Sequence, residues 1–240
     1  MIAERLTGFE HRTEQVPANY LRIEQDLRKQ DNACFAGFLK TPERERHFVF
    51  SQAYRIMLPI ELLVPSSRPG LTTAEGRIDL RALLDGGHFR LGVLGGRRYG
   101  PHIDSILDDY SEDRVVYRRY AEDQLDGLLG MMATPSRGVD GVLAYPNEVA
   151  YRARALGLPA QAIAHYPLLG GPAYQLGYIA CSDSAVGRQA IREINGIIAA
   201  IRQPVAQAYA EHLEDAARGA YLQQVEQTFG PSPVAIQATP

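Results

Sequence analysis

The chain has 240 residues, of which 45% are hydrophobic and 22% charged, the balance of a globular protein with room for a sizeable core. Its 25 basic and 28 acidic side chains leave a net charge of −3, which argues against a nucleic-acid binder held by bulk charge. The longest apolar stretch, Ile56 to Pro65, is interrupted by Glu61 and falls far short of the roughly 18 residues of a membrane helix, so no transmembrane segment is expected.

Taken in order, Glu10 to Val16 alternates polar and apolar residues weakly, as a strand would. Pro17-Ala18-Asn19 offers an N-cap for a helix running through Lys29. Ala33 to Leu39 reads as a short buried strand, and Thr41-Pro42 as the start of the next helix, with Pro suited to a first turn. Ile56 to Val64 reads as one long strand. Phe89, Leu91 and Val93 alternate as a strand should, and Gly95-Gly96 break it before a helix from about Gly100 to Asp108. Leu125, Leu128, Leu129 and Met132 recur at helical spacing. Val139 to Ala144 predicts a strand, and Asn147 to Leu156 a helix ended by Gly157. Leu176 to Cys181 looks extended. Ile191, Ile194, Ile198 and Ile201 then form one helical stripe. Gly230-Pro-Ser-Pro-Val predicts a frayed tail. Strands alternating with helices of this length predict an α/β fold with mixed, mostly parallel sheets flanked by helices.

Easily read catalytic patterns are absent. The sequence has no G-x-S-x-G, no P-loop and no G-x-G-x-x-G. Its six histidines never form an i, i+4 pair, and two cysteines alone cannot build a tetrahedral zinc site. No cofactor, metal site or catalytic residue is therefore assigned. Asp108-Asp109 with Glu112-Asp113 reads as a solvated loop.

Two strand-to-helix turns carry arginine: Lys40-Thr41-Pro42-Glu43-Arg44-Glu45, followed by Phe50-Ser51 and Tyr54, and Gly92-Val-Leu-Gly95-Gly96-Arg97-Arg98-Tyr99-Gly100. A helix N-terminus offers free N–H groups and partial positive charge, and a nearby guanidinium adds a two-pronged hydrogen bond to a carboxylate. Two such turns could clamp a small acid. The plainer alternatives stay open: Arg44 can pair with Glu43 or Glu45 on a helix surface, and Gly95-Gly96 can mark a tight turn alone.

In this order, the Thr-Pro-Glu-Arg run, Leu91-Gly-Val-Leu-Gly-Gly96, Gly138-Val-Asp140-Gly-Val-Leu, and Tyr178-Ile-Ala-Cys181-Ser before a helix with Asn195 resemble the family 3 extracellular solute-binding proteins. The resemblance runs from about residue 8 to about residue 212. It is nearest to a branch with one Cys before the Lys-Thr-Pro-Glu-Arg run and another in the return strand. It implies a two-lobe, type II periplasmic binding fold, with lobe 1 built from 1–58 plus 178–240 and lobe 2 from 59–177. It implies a periplasmic solute-binding protein that holds a small carboxylate-bearing or amino-acid-like ligand between two lobes by hinge closure. The closed monomer would be read by an ABC permease or a membrane sensor.

By the same resemblance, Arg44 grips the ligand's carboxylate with Thr41 beside it, and the residue after Gly96 caps the anion from the second lobe. That residue is Arg97, where the family usually has Thr or Ser; the added charge suggests a second acidic group on the ligand. Arg98, Tyr99 and Tyr54 are further candidates. Where amino-acid binders place an Asp for the ammonium, this chain has Tyr145-Pro146-Asn147, with Glu148 the next carboxylate. A ligand stacked on Tyr145, without an amine, fits as well. The family's export signal and first lobe-1 strand have no counterpart, which suggests an N-terminal truncation or a misplaced start. Cys34 and Cys181 fall on neighbouring antiparallel strands of the family's fold and are candidates for a disulfide. Two other classes remain: an enzyme on the same scaffold, with Asp104, Glu148 or Asp140 as acid or base, and an interaction module with a degenerate pocket.

Overall fold

The computed structural model describes residues 2–10, 16–68, 70–71, 75–111, 114–134, 138–213 and 215–230. In chain order the elements are α1 (Tyr20–Lys29), β1 (Cys34–Phe38), α2 (Pro42–Glu45), β2 (Phe48–Phe50), β3 (Arg55–Met57), β4 (Glu61–Pro65), α3 (Leu80–Asp85), β5 (Leu91–Leu94), α4 (Pro101–Asp109) and β6 (Val116–Arg119). There follow α5 (Gln124–Met132), β7 (Gly141–Ala144), α6 (Pro146–Ala155), β8 (Ile163–Pro167), β9 (Gln175–Ser182), α7 (Ala185–Ala210) and α8 (Asp215–Phe229).

The chain divides into two compact units. One comprises Met1–Gln15, Asp26–Met57 and Leu176–Pro240; the other comprises Val16–Gln25 and Leu58–Gln175. The division falls inside α1, whose first residues group with the second unit.

In the first unit, β9 lies between β1 and β2, antiparallel to both, and β3 also pairs with it. Cys34 stands opposite Cys181 in this ladder, and the two form a disulfide. No strand precedes β1 among the described residues. The core on one face of the sheet joins Tyr54, Ile179 and Cys181 to the stripe Ile191, Ile194, Ile198 and Ile201 of α7, as its spacing predicts. Ser184 caps α7, its hydroxyl accepting the Gly187 N–H at 2.9 Å.

In the second unit the strand order is β6-β5-β7-β4-β8. The parallel ladders are those of β5 with β6 and β7, where helices intervene between strands; β4 pairs antiparallel with β7 and β8. The parallel share is thus smaller than the alternation of strand and helix patterns suggests. Leu63, Val142, Leu128, Leu129 and Val149 pack its core, with α5 and α6 against the sheet.

Several expectations shift. Ile56–Val64 is not one strand: Leu58-Pro59-Ile60 separates β3 from β4, and Pro59 lacks the N–H a continuous ladder needs. Asp108 and Asp109 end α4 rather than lying in a loop, and Asp109 accepts a hydrogen bond from Arg81 at 2.6 Å. Residues 112–113, 11–15 of the expected first strand, and the tail beyond Gly230 lie outside the described residues.

Candidate functional site

The first arginine turn is organised as a short capped helix. Thr41 is its N-cap, the hydroxyl accepting the Arg44 N–H at 3.3 Å, and Pro42 occupies the first turn. Arg44 is only 3% exposed. Its guanidinium stacks 4.0 Å over the Phe38 ring, and Nη1 donates to the Leu39 carbonyl at 3.3 Å. Arg44 is thus buried rather than spread on a helix surface, and Glu45 meets Lys40 at 2.9 Å. Tyr54 is buried, donates to the Ala36 carbonyl at 2.7 Å, and has its pKa raised by that burial.

The second turn is more elaborate. Gly96 adopts φ +77°, and a Cβ there would lie 2.8 Å from Leu21 Cδ2. Tyr99, 1% exposed, braces the loop: its hydroxyl accepts the Leu94 N–H at 2.7 Å, its N–H donates to Asp104 at 2.8 Å, and its carbonyl accepts from Gln175 at 2.9 Å. Gln175 in turn accepts from the Tyr145 hydroxyl. Arg98 is half-buried, and its charge acts on Asp104.

Arg97 is the centre of this arrangement. Its side chain is 5% exposed and makes a two-pronged bridge to Glu148, with both nitrogen–oxygen distances 2.8 Å. Its guanidinium carbon lies 4.7 Å from the Tyr145 ring centre, 5.5 Å from Tyr20 and 5.6 Å from Tyr99. Burial pulls its pKa down, but the charge of Glu148, Tyr20 and the hydrogen bonds to Glu148 more than reverse this, and the guanidinium is held well above its ordinary value. A permanently charged group is thus caged by three aromatic rings and one carboxylate of its own unit.

The start of α6 supplies the carboxylate. Tyr145 is the N-cap residue, Pro146 opens the first turn, and Asn147 and Glu148 follow. Asn147 Oδ1 is buried and accepts no hydrogen bond among the described residues. A buried acceptor without a donor is uncommon and calls for one.

The structure therefore brings Gly96, Arg97, Tyr99 and Tyr145 together, while Thr41, Arg44 and Tyr54 belong to the first unit. It adds Tyr20, Gln175, Asn147 and Glu148, which sequence reading did not assign to a ligand site. The chemistry-bearing acids have structural partners: Glu148 holds Arg97, Asp104 accepts from Tyr99, and Asp140 accepts from Arg68 at 2.5 Å and from the Arg90 N–H at 2.7 Å. Among the described residues no cluster of His, Cys, Asp or Glu is placed to hold a metal ion, and no helix is long and apolar enough to cross a membrane.

No protein-family model matches the chain, and neither does any curated protein. Solved structures do. An ancestral arginine-binding protein bound to glutamine superposes with a TM-score of 0.62 at 16% identity, covering 96% of this chain and 84% of that one. An amino-acid ABC transporter substrate-binding protein of Streptococcus pneumoniae, bound to L-arginine, gives 0.60 at 13% identity, covering 95% and 81%. The chain has the type II periplasmic binding fold. A histidine kinase sensor domain similar to periplasmic binding proteins gives 0.52 at 12% identity, covering 85% and 72%. At these identities the likeness establishes the fold. Within that fold, the Cys34–Cys181 disulfide is the pairing that the sequence resemblance implies.

Proposed function

We propose that this type II periplasmic binding fold serves a non-enzymatic solute-binding protein, exported to an oxidising compartment, whose ligand is a small amino-acid-like monocarboxylate. The observation that carries this reading is the pair of acceptors at the start of α6. Glu148 is fixed by Arg97, yet its side chain is 33% exposed, and a two-pronged bridge uses only one lone pair on each oxygen. Asn147 Oδ1 beside it in sequence is a buried acceptor without a donor. An ammonium supplies the donors that both can take. Arg97 then acts as a positioning residue, and the carboxylate grip falls to Arg44 and Thr41 in the lobe read as 1–58 plus 178–240. Because Glu148 balances Arg97 internally, the added arginine no longer argues for a second acidic group on the ligand. In this reading the lobes close on the ligand by hinge motion, and an ABC permease or a membrane sensor reads the closed form; an ABC transporter substrate-binding protein and a histidine kinase sensor domain are among the structurally similar proteins. The disulfide supports the oxidising compartment.

The test is a thermal-shift titration of the protein, of Arg44→Ala and of Glu148→Gln with amino acids, monocarboxylates and dicarboxylates. A ligand at about a hundred times its dissociation constant stabilises by about 2.7 kcal/mol. The reading expects a shift with amino acids that both substitutions abolish. A second reading, an interaction module with a self-filled pocket, is favoured by one observation: Arg97 already has its carboxylate and its rings without a ligand. No shift with any compound at millimolar concentration would decide for it.

A further inference from the structure

Among the described residues β2 is an edge strand, paired with β9 on one side alone. The Ser51 N–H donates to the Ile179 carbonyl at 2.9 Å, and the register sets Val49 opposite Cys181. Hydrogen-bonded pairs alternate in an antiparallel ladder. Phe48 and Phe50 therefore turn their main-chain N–H and C=O groups away from β9, along the free edge. A cavity of about 400 Å³ follows this edge. Its apolar lining is Phe48, Val49, Phe50 and Ile191, and its charged lining is Lys40, Arg188 and Arg192 with one acid, Glu45, a net positive charge. Arg188 and Arg192 stand one turn apart on α7. Lys40 is paired with Glu45 and Arg188 with Asp183, but Arg192 has no ion-pair partner among the described residues.

We infer that this edge is a docking site for an extended acidic segment of a partner protein, which adds as a strand beside β2. Unpaired main-chain groups give a strand its affinity, and flanking side chains give it selectivity. Here the flanking side chains carry net positive charge over an apolar floor, which selects a segment alternating acidic and apolar residues. A second copy of this chain pairing β2 to β2 would set two linings of the same net positive charge, three cations and Glu45 each, against one another, so charge disfavours self-association at this edge. Basic side chains also guard edge strands against aggregation, and the experiment separates that simpler role. The site lies wholly within the first unit and does not rest on the ligand reading above.

The probe is a fluorescein-labelled seven-residue peptide alternating Val and Glu, followed by fluorescence anisotropy against the full chain. The controls are the same peptide with Lys for Glu, and one N-methylated at alternate main-chain nitrogens. Saturable binding of the Val/Glu peptide is expected, with no binding of the Lys peptide and loss on N-methylation. Arg192→Glu, an exposed substitution that leaves the core untouched, should weaken binding at least tenfold. Phe50→Pro, which removes an outward-facing N–H, should weaken it as well; circular dichroism checks that both variants fold. Absence of binding at low salt, which leaves an edge guard only, would overturn the inference. So would equal binding of the N-methylated peptide, unchanged affinity in Arg192→Glu, or displacement by succinate at equal concentration, which would mark a small-anion site.

Discussion

Glu148→Ala is the sharpest test of the caged arginine. The substitution removes the carboxylate and leaves the Arg97 guanidinium, 5% exposed, among three tyrosine rings. Breaking a fully buried ion pair by deleting one partner costs about 3–5 kcal/mol. Glu148 is 33% exposed, so water can reach part of the vacated space and lowers the expected cost to about 2–3 kcal/mol. The rings remain in the variant, and their attraction for the cation does not enter the difference. At about 2–4 °C per kcal/mol for a chain of this size, the melting temperature should fall by roughly 4–12 °C. Differential scanning calorimetry is the suitable assay because two compact units need not unfold as one. The double variant Arg97→Leu with Glu148→Leu should recover most of the loss, since an apolar pair replaces the buried charges without leaving one unpaired. A change below about 0.5 kcal/mol in Glu148→Ala, the size of an ordinary surface substitution, would show that Glu148 does not balance Arg97 in solution.

The Cys34→Ser, Cys181→Ser double variant opens a loop of 147 residues and should lose up to about 4–5 kcal/mol in urea unfolding; an unchanged midpoint would show the bridge absent in the native protein. Gly96→Ala combines φ +77° with a 2.8 Å approach to Leu21 and should cost about 1–3 kcal/mol, read in the same assay. Burial raises the Asp104 carboxyl above its ordinary value of 3.8, against the opposing pull of the Tyr99 N–H and Arg98. The folded state then binds the proton more tightly, so Asp104 lowers stability as pH rises from 3.8 through its raised value. Asp104→Asn keeps an oxygen for the Tyr99 N–H and should be more stable than the parent at neutral pH, with the gain gone below pH 3.8; equal gains at both pH values would contradict this.

Much of the frame was legible because it is written in local chemistry. Thr41-Pro42 sets a helix start where expected, α6 begins one residue before the expected Asn147, and the isoleucine stripe from Ile191 to Ile201 buries as its spacing requires. Local pattern failed where one residue decided against its neighbours: Pro59 splits an otherwise continuous apolar run. It also missed β6, whose Val-Tyr-Arg-Arg carries half-buried arginines that look like a surface turn. The site was half legible. The arginines were marked by their glycine and proline turns. Their surroundings were not, because Glu148 lies 51 residues from Arg97 and Tyr20 belongs to the first helix. A long-range ion pair leaves no periodic trace; the available signal was arithmetic, one uncommon arginine needing one carboxylate in its own unit.

That arithmetic also bears on selectivity. With Glu148 present, the charges of Arg97 and Glu148 cancel, and in the proposed reading Arg44 takes the ligand's one carboxylate. A monocarboxylate should then be preferred to a dicarboxylate of the same length, since the second acid would meet Glu148. Glu148→Gln removes the compensating charge while keeping an acceptor for Arg97. The preference should then move toward the dicarboxylate by one charge-assisted hydrogen bond, about 1.5–3 kcal/mol or roughly ten- to a hundredfold. Paired thermal-shift titrations with glutarate and valerate, on parent and variant, read that ratio directly. A preference that does not move would mean that Arg97 and Glu148 act only on the fold, and the proposed ligand would have to be recognised by the Arg44 turn alone.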